Sequence, residues 1–445
     1  MKNRSTLASI VLWIILIFAT DKFCLAQWFP QPSHLSPNNF PQFIDAVDTN
    51  IVWAVAQDQE FTKTTNGGFS WEAGTINNAA GFGPSSIYAL SADTAWVAMY
   101  KLSSAGGRIL KTTDGGANWV YQSTAHFSGA GAFADFVFFW DSENGVCVGD
   151  PTAEYFEIYT TTNGGTNWIR TPSANIPLPL TGEYGLQDDY ATYGDSTIWF
   201  GTHWGRVYKS VDRGVHWIVA TTPFFDNYVT SVGCIAFKDA LHGSAGTGYN
   251  LGITDVIYTE DGGLTWSILG DTGDSLPIKL AMQYLPGTSG TYFFSGDIAV
   301  GSRGSAFSTD DGNSWTTIDA IGHTNLDFVN ASTGWSGSNE FDSVSNSYLI
   351  YRWGSPGWSE VNPVKTDNFS LSVFPNPFSE SFVLKNSTAE KATLKVFDVQ
   401  GNLLLQQQLR IREEISLGEN FPAGIYLMQL RTATQTFSIK AVKIN

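Results

Sequence analysis

Cysteine is nearly missing from this chain. Three occur in 445 residues, and one of them, Cys24, falls within the first 26. The other two, Cys147 and Cys234, sit in apolar strand-like runs, Val146-Cys147-Val148 and Gly233-Cys234-Ile235. Two distant cysteines make no disulfide framework, and no CxxC pair offers a metal or redox site, so both read as buried free thiols. Basic residues are also scarce. There are 24 Lys and Arg against 41 Asp and Glu, for a formal charge of −17. Phosphate binding needs a basic footprint, so nucleic acid is not an expected partner. The six histidines (His34, His126, His203, His216, His242 and His323) show no HExxH or other ligand spacing. That spacing argues against a zinc site, and no metal or cofactor is expected. Beyond the first 26 residues no apolar run approaches the roughly 20 residues of a bilayer span, so no transmembrane segment is expected.

The first residues read as a secretory signal. Lys2 and Arg4 form a positive start, Leu7 to Phe18 is a nearly unbroken apolar run, and Cys24-Leu25-Ala26 is a small-x-small cleavage site. Cleavage after Ala26 removes residues 1–26. The signal takes with it Lys2, Arg4, Lys22 and Asp21, so the mature chain is two units more negative than −17. Such a surface suits a soluble extracytoplasmic protein.

Glycine and aromatic residues are abundant: 44 glycines, and 14 % of residues are Phe, Trp or Tyr. That mixture fits short strands and tight turns. One octapeptide, Ser/Thr-x-Asp/Asn-x-Gly-x-x-Trp, recurs six times: 64–71, 112–119, 161–168, 210–217, 259–266 and 308–315. Its closing tryptophans, Trp71, Trp119, Trp168, Trp217, Trp266 and Trp315, are 48 or 49 residues apart, and a period near 50 marks an array or propeller. The third residue (Asn66, Asp114, Asn163, Asp212, Asp261 or Asp310) can accept hydrogen bonds from its own turn. The fifth (Gly68, Gly116, Gly165, Gly214, Gly263 or Gly312) can take positive φ. The indole then covers the turn, and the whole pins a hairpin between two strands.

A weaker recurrence counts the units. Short apolar-small segments begin at Trp53, Trp96, Cys147, Trp199, Ser244, Phe294 and Trp335, seven against six octapeptides. A seventh octapeptide is expected near 348–358, where Tyr348-Leu349-Ile350-Tyr351 resembles a strand and Trp358 the closing indole, without the Asp or hydroxyl. It reads as a degenerate last repeat. The expected fold is all-β: a seven-bladed β-propeller over residues 27–362, with six or eight blades as alternatives.

These octapeptides resemble the Asp-box, or bacterial neuraminidase, repeat. The Gly-Arg-Ile/Val-Leu/Tyr-Lys-Thr/Ser-x-Asp-x-Gly setting is similar to the photosystem II stability factor branch, a seven-bladed scaffold. The resemblance implies structural boxes away from the ligand face, and it speaks for fold rather than activity.

Residues 363–370 lose the pattern and read as a linker. Residues 371–445 alternate in short strands, with Gln400-Gly401-Asn402 as a hairpin turn, and suggest a small antiparallel β-sandwich. Val373-Phe374-Pro375-Asn376-Pro377, Val396-Phe397-Asp398-Val399-Gln400-Gly401, Pro422-Ala423-Gly424-Ile425-Tyr426 and the final Lys440-Ala441-Val442-Lys443 resemble the type IX secretion C-terminal sorting domain. That likeness implies the type IX machinery as a partner and export from a Gram-negative cell, with the mature protein released or held at its outer surface.

Catalysis has few candidates. Sialidase chemistry needs three arginines on a carboxylate, a Tyr/Glu nucleophile pair and an acid. Here Arg170 and Arg213 belong to octapeptides or their flanks, and the Phe/Tyr-Arg-Ile-Pro signature is missing. Xyloglucan-type hydrolysis uses two facing propellers, and this chain has one. The long segment 172–195 carries Glu183, Tyr184, Asp188, Asp189 and Tyr190, and another loop carries Asp150, with Asp135 just ahead of a strand. Asp150, Glu183 and Tyr184 are the candidates for a top-face site, with solvated loop carboxylates as the plain alternative. Arg108, Arg206 and Arg303 stand in related register and either ring the channel or bridge to neighbouring blades. The leading expectation is a monomeric binding or scaffold propeller for an extracellular protein or glycan. A glycan-active hydrolase or lyase using Asp150 and Glu183 is the alternative.

Overall fold

A computed structural model of the chain describes residues 27–445 apart from 153, 226–230, 249–255, 270–280, 297–302, 355–370, 375–379, 387–390, 399–402, 411–413, 423, 433–435 and 444–445. The signal sequence, the linker at 363–370, Trp358 and the Gln400-Gly401-Asn402 turn lie outside the described residues. Those described contain strands and one short 3-10 turn, Ser173–Asn175. Two units separate, Met1–Ser359 and Glu360–Asn445.

The first unit is seven four-stranded antiparallel sheets. Strand β1 is Gln27–Pro32. Blade 1 comprises β2 (Pro41–Ala46), β3 (Val52–Ala56), β4 (Glu60–Thr64) and β5 (Glu72–Thr75), in that order from inside to outside. Blade 2 is β6 (Phe82–Ala89), β7 (Ala95–Lys101), β8 (Gly107–Thr112) and β9 (Val120–Phe127). Blade 3 is β10 (Ala134–Phe139), β11 (Gly145–Thr152), β12 (Tyr155–Thr161) and β13 (Ile169–Arg170). Blade 4 is β14 (Gly185–Tyr193), β15 (Thr197–Thr202), β16 (Arg206–Ser210) and β17 (Ile218–Thr221). Blade 5 is β18 (Ser231–Phe237), β19 (Gly243–Gly248), β20 (Val256–Thr259) and β21 (Ser267–Ile268). Blade 6 is β22 (Ala281–Tyr284), β23 (Tyr292–Gly296), β24 (Gly304–Ser308) and β25 (Thr316–Asp319).

Blade 7 differs. Its first three strands are β26 (Asn325–Asn330), β27 (Thr333–Asp342) and β28 (Ser347–Gly354), but its outer strand is β1 from the other end of the chain. Trp28 pairs with Trp353, and Phe29 with Arg352. Of the expected degenerate octapeptide near 348–358, the strand part is seen in β28, and 355–358 lie outside the described residues. In the other blades the octapeptide joins the third strand to the fourth. In blade 7 the fourth strand is supplied by β1. Sheets closed in this way leave no long free edge.

Every strand of a blade's middle is sandwiched between neighbouring blades, which is why β3 is buried at all five positions. The octapeptide turn has a fixed hydrogen-bond set. In the second, Thr112 Oγ accepts from Gly116 N at 2.9 Å and donates to Asp114 Oδ1 at 2.9 Å, while Asp114 Oδ1 accepts from Asn118 N at 2.8 Å. The other five turns repeat it. Two consecutive residues take positive φ, as in Gly115 at 72° and Gly116 at 91°. In turns 4 and 6 the first of the two is not glycine but Arg213 (60°) or Asp311 (57°).

The reason lies between blades. In blades 1, 2 and 4 a lysine ends one strand beside a tryptophan: Lys63 over Trp53 (4.6 Å), Lys111 over Trp96 (4.7 Å) and Lys209 over Trp199 (5.3 Å). Lys63 and Lys111 each donate to a glycine carbonyl of the next blade's turn, Gly115 at 3.0 Å and Gly164 at 2.8 Å. Blades 3 and 5 have Val146 opposite Thr160 and Ser244 opposite Tyr258 in those places. There the next turn's non-glycine residue reaches back instead: Arg213 to Asp141 at 3.6 Å, and Asp311 to Lys238 at 2.8 Å. The tie is kept: after blade 3 its cation sits on the turn, and after blade 5 it stays on the blade with the acceptor on the turn.

The second unit has a three-stranded sheet, β29 (Leu371–Phe374), β30 (Phe382–Asn386) and β33 (Glu414–Leu417). Its other sheet runs β32 (Leu403–Leu409), β31 (Ala392–Phe397), β34 (Gly424–Arg431) and β35 (Thr436–Lys443). Alternation in β31 buries Ala392, Leu394 and Val396, which share a core with Phe382, Leu384, Met428 and Leu430. This is the antiparallel sandwich its pattern calls for.

Candidate functional site

The inner strands surround a cavity of about 740 Å³. In the inner strands of blades 1, 2, 3 and 5 the register shifts by one residue, whereas in β14 Gly185 pairs with Thr202 and Tyr190 with Phe200. The extra residues between them form a wide bulge, and Asp188 within it takes φ 55°. Asp188 accepts a hydrogen bond from Asn325 of blade 7 at 3.0 Å, although the two belong to different parts of the ring.

Three carboxyls meet in this cavity. Asp45 accepts from Ala89 N, and Asp327 accepts from Ala46 N at 2.7 Å and from Gln283 Nε2 at 2.8 Å. Gln283 Oε1 in turn accepts from Phe328 N at 2.6 Å. Each side chain thus holds the inner strand of the following blade. Burial, reinforced by Asp327, pushes Asp45 well above the usual carboxylate range. Burial and the charges of Asp45, Asp327 and Asp189 do the same to Asp188. A protonated carboxyl loses little by this burial. Sequence reasoning named Asp188 but missed Asp45, Gln283 and Asp327. Their one signal was a polar residue inside an otherwise apolar inner strand.

The candidate residues of the loop faces fall at the junction of blades 3 and 4. Glu183 is buried and grips Arg206: Arg206 Nε donates to Oε1 at 3.0 Å and Nη2 to Oε2 at 2.6 Å. Thr202 Oγ1 donates to Glu183 Oε1 at 2.7 Å, and Leu180 N to Oε2 at 2.8 Å. Every oxygen of this carboxylate is engaged within the protein. Two residues on, Gly185 N donates to Asp150 Oδ1 at 2.9 Å. Asp135 packs so tightly on the same glycine that a Cβ there would lie 2.6 Å from its Oδ2. Burial raises Asp150 to about 7, eased by the Gly185 N–H. Burial and the charge of Asp150 push Asp135 well above its ordinary value. Both carboxyls are thus biased toward the protonated form.

Tyr184 lies between these two anchors in sequence and turns outward, 45 % exposed. Its ring stacks on His203 with centroids 3.6 Å apart and planes at 5°, and Trp204 follows at 4.9 Å from His203. The Tyr184 N–H donates to His203 Nδ1 at 3.1 Å. Leu178 and Leu180 of the same loop are exposed. Asp150, Glu183 and Tyr184 therefore converge on one junction, but their side chains serve different ends: the two acids hold the loop and the tyrosine faces out.

The three arginines do not form a ring. Arg206 binds Glu183 of its own blade, Arg303 pairs with Glu340 of the next blade, and Arg108 lies over Phe82 at 3.6 Å and donates to Asn78 O. Among the described residues no three His, Cys, Asp or Glu side chains are grouped to hold a metal ion, and no helix is long and apolar enough to cross a membrane.

Comparison with known proteins bears on both units. Residues 372–444 match the family model of the secretion system C-terminal sorting domain. The chain is a propeller ending in a sorting-type tail. The tail implies export through type IX secretion, and so a secreted or cell-surface location. Among solved structures the chain is similar to YCF48 bound to D1 peptide, at 13 % identity and TM-score 0.52, covering 74 % of this chain and 96 % of that one. It also matches YCF48 from Cyanidioschyzon merolae (15 % identity, TM-score 0.33, 74 % and 99 %) and the WD40 β-propeller domain of Doa1 (12 %, TM-score 0.48, 74 % and 97 %). The first of these likenesses shows the propeller fold. No curated protein matches the chain.

Proposed function

We propose that this protein is an exported binding module, a scaffold of the Asp-box propeller type that holds an extracellular protein or glycan at the loop face of blades 3 and 4. The observation that carries this is the Tyr184–His203 stack, exposed and held from both sides by Glu183–Arg206 and Gly185–Asp150. An exposed ring that is already fixed loses little entropy on binding, and an aromatic face suits both sugar rings and protein side chains. Glu183 is occupied by Arg206, which speaks against its use as a catalytic acid. The propeller bound to D1 peptide places peptides among the ligands to test.

The test is a screen of the full secreted protein against glycan and peptide arrays, followed by Tyr184→Ala and His203→Ala. Binding that falls about tenfold or more in both variants, with unchanged melting temperature, supports the reading. Unchanged binding in both overturns it. A second reading rests on Asp150 alone, whose value of about 7 suits a general acid. Glycan hydrolysis or elimination that Asp150→Asn abolishes would select that reading.

A further inference from the structure

The braces between inner strands do not all carry a charge. Between blades 2 and 3 the acceptor is Ser86 Oγ, which takes Val137 N at 3.0 Å, and between blades 6 and 7 it is Gln283 Oε1. Both are neutral, and both do for their strands what Asp45 and Asp327 do for theirs. A backbone N–H asks only for an acceptor, so bracing leaves the acidity of Asp45 and Asp327 unexplained. Asp188 holds no backbone N–H of a neighbouring strand among the described residues. Its bulge, at φ 55°, brings it to the cavity from blade 4, and its partner there is the neutral amide of Asn325.

Carboxyls of blades 1, 4 and 7 thus share a cavity of about 740 Å³. Among the described residues that line it, the one basic side chain is Lys238, which is ion-paired with Asp311. Tyr190 lies deep in the ring, near enough to Asp45, Asp188 and Asp327 to feel all three charges. Its hydroxyl has no hydrogen-bond partner among the described residues. Tyr88, Phe138 and Tyr190 form a continuous aromatic wall, with successive centroids 5.1 and 5.6 Å apart. The volume is that of a small-ligand site, which typically spans about 300–1,000 Å³.

We propose that this central cavity binds an aliphatic polyammonium ion, its ammonium groups among Asp45, Asp188 and Asp327 and its methylene chain along Tyr88, Phe138 and Tyr190. Charge-assisted hydrogen bonds to the carboxylates and contact of the cation with the aromatic faces both favour it. The acids stand on three different blades, so cationic centres joined by a flexible chain meet them better than one compact ion does. The source is either a free polyamine or neighbouring lysines of a polypeptide. Tyr184 turns outward from a loop, so this site does not rest on the binding face proposed above.

An ammonium also reverses what the acids do to one another. Burial and mutual repulsion bias Asp45 and Asp188 toward the protonated form, and a cation beside them favours the ionised form, so binding should release protons. The other titratable groups of the described lining are Asp189, Cys234, Lys238 and the tyrosines Tyr88, Tyr190, Tyr193 and Tyr284.

The experiment is calorimetric titration of the full secreted protein at pH 7 and physiological salt, which screens its acidic surface. The probes are spermidine, 1,8-octanediol as a neutral chain, calcium ion and a trilysine peptide. Spermidine is expected to saturate one site below roughly 1 mM, with a heat that differs between buffers of different ionisation enthalpy. Asp188→Asn keeps an oxygen for Asn325 and should weaken spermidine about tenfold at an unchanged or higher melting temperature. Tyr190→Phe removes only the hydroxyl and should weaken it severalfold. Spermidine tighter than trilysine assigns the site to a free polyamine, and the reverse assigns it to lysines of a polypeptide. No saturation in wild type, diol or calcium binding as tightly as spermidine, equal heats in the two buffers, or undiminished binding by both variants would each overturn the proposal.

Discussion

Lys63 donates to the carbonyl oxygen of Gly115 at 3.0 Å, joining blade 1 to the turn of blade 2. The same ammonium binds Ala92 O at 3.0 Å, and burial lowers its pKa. Gly115 has φ 72°, and a Cβ there would lie 2.8 Å from the lysine nitrogen. Lys63→Met keeps the aliphatic stem and removes both bonds, so urea unfolding should show a loss of about 1–3 kcal/mol. Gly115→Ala should cost a further ~1–2 kcal/mol through backbone and contact strain. The two losses should be less than additive when combined, because removing the ammonium relieves the contact. Strict additivity would show that the contact is irrelevant.

Ring closure depends on β1. Deleting residues 27–32 unpairs β28 along its length and uncovers the Trp353 and Phe328 faces that Trp28 covers. The truncated propeller should melt well below the full one and bind a hydrophobic dye before it unfolds. An unchanged melting curve would mean that the seventh blade closes by other contacts.

Glu183→Gln separates the structural and catalytic readings of this residue. The guanidinium of Arg206 would stay buried without its counter-charge, which costs about 3–5 kcal/mol. A large fall in melting temperature is expected from Glu183→Gln. A variant of native stability would return Glu183 to the list of reactive groups.

Asp150 sets a pH dependence. Its folded value of about 7 lies above the unfolded 3.8, so the folded state holds more protons between those limits. Its contribution is complete below about pH 4 and is lost as pH rises through about 7. Asp189, raised to about 8 by burial, extends the same trend upward. The urea midpoint should therefore fall between about pH 5 and pH 8.5. Asp150→Asn keeps an oxygen for Gly185 N–H and should flatten that fall, by at most about 1.4 kcal/mol per pH unit. An equal slope in the variant would remove Asp150 from the account.

Cys147 and Cys234 are both buried. Neither should react with a thiol reagent in the native protein, and both should react once it is unfolded. Fast reaction in the native state would show that blades 3 and 5 open readily.

The octapeptides announced a β-propeller because their chemistry is local. Thr112, Asp114 and Gly116 satisfy one another within five residues, so period and residue type alone specify the turn. Glu183, by contrast, looked like a loop carboxylate. Its partner Arg206 lies 23 residues away, and no spacing rule links a loop acid to the start of a strand in the same blade. Asp45 and Asp327 were missed for the same reason, since each is explained by a backbone N–H of the neighbouring blade.

The sequence by itself determined the repeating turn, the strand faces and the alternation of the C-terminal sandwich, all of which arise from interactions within a few residues or from side-chain period. Only the tertiary structure decided that β1 completes the last blade and that Tyr184 faces out while Glu183 is held in. Each of these depends on which distant segments the closed ring brings into contact, and closure is a property of the whole chain.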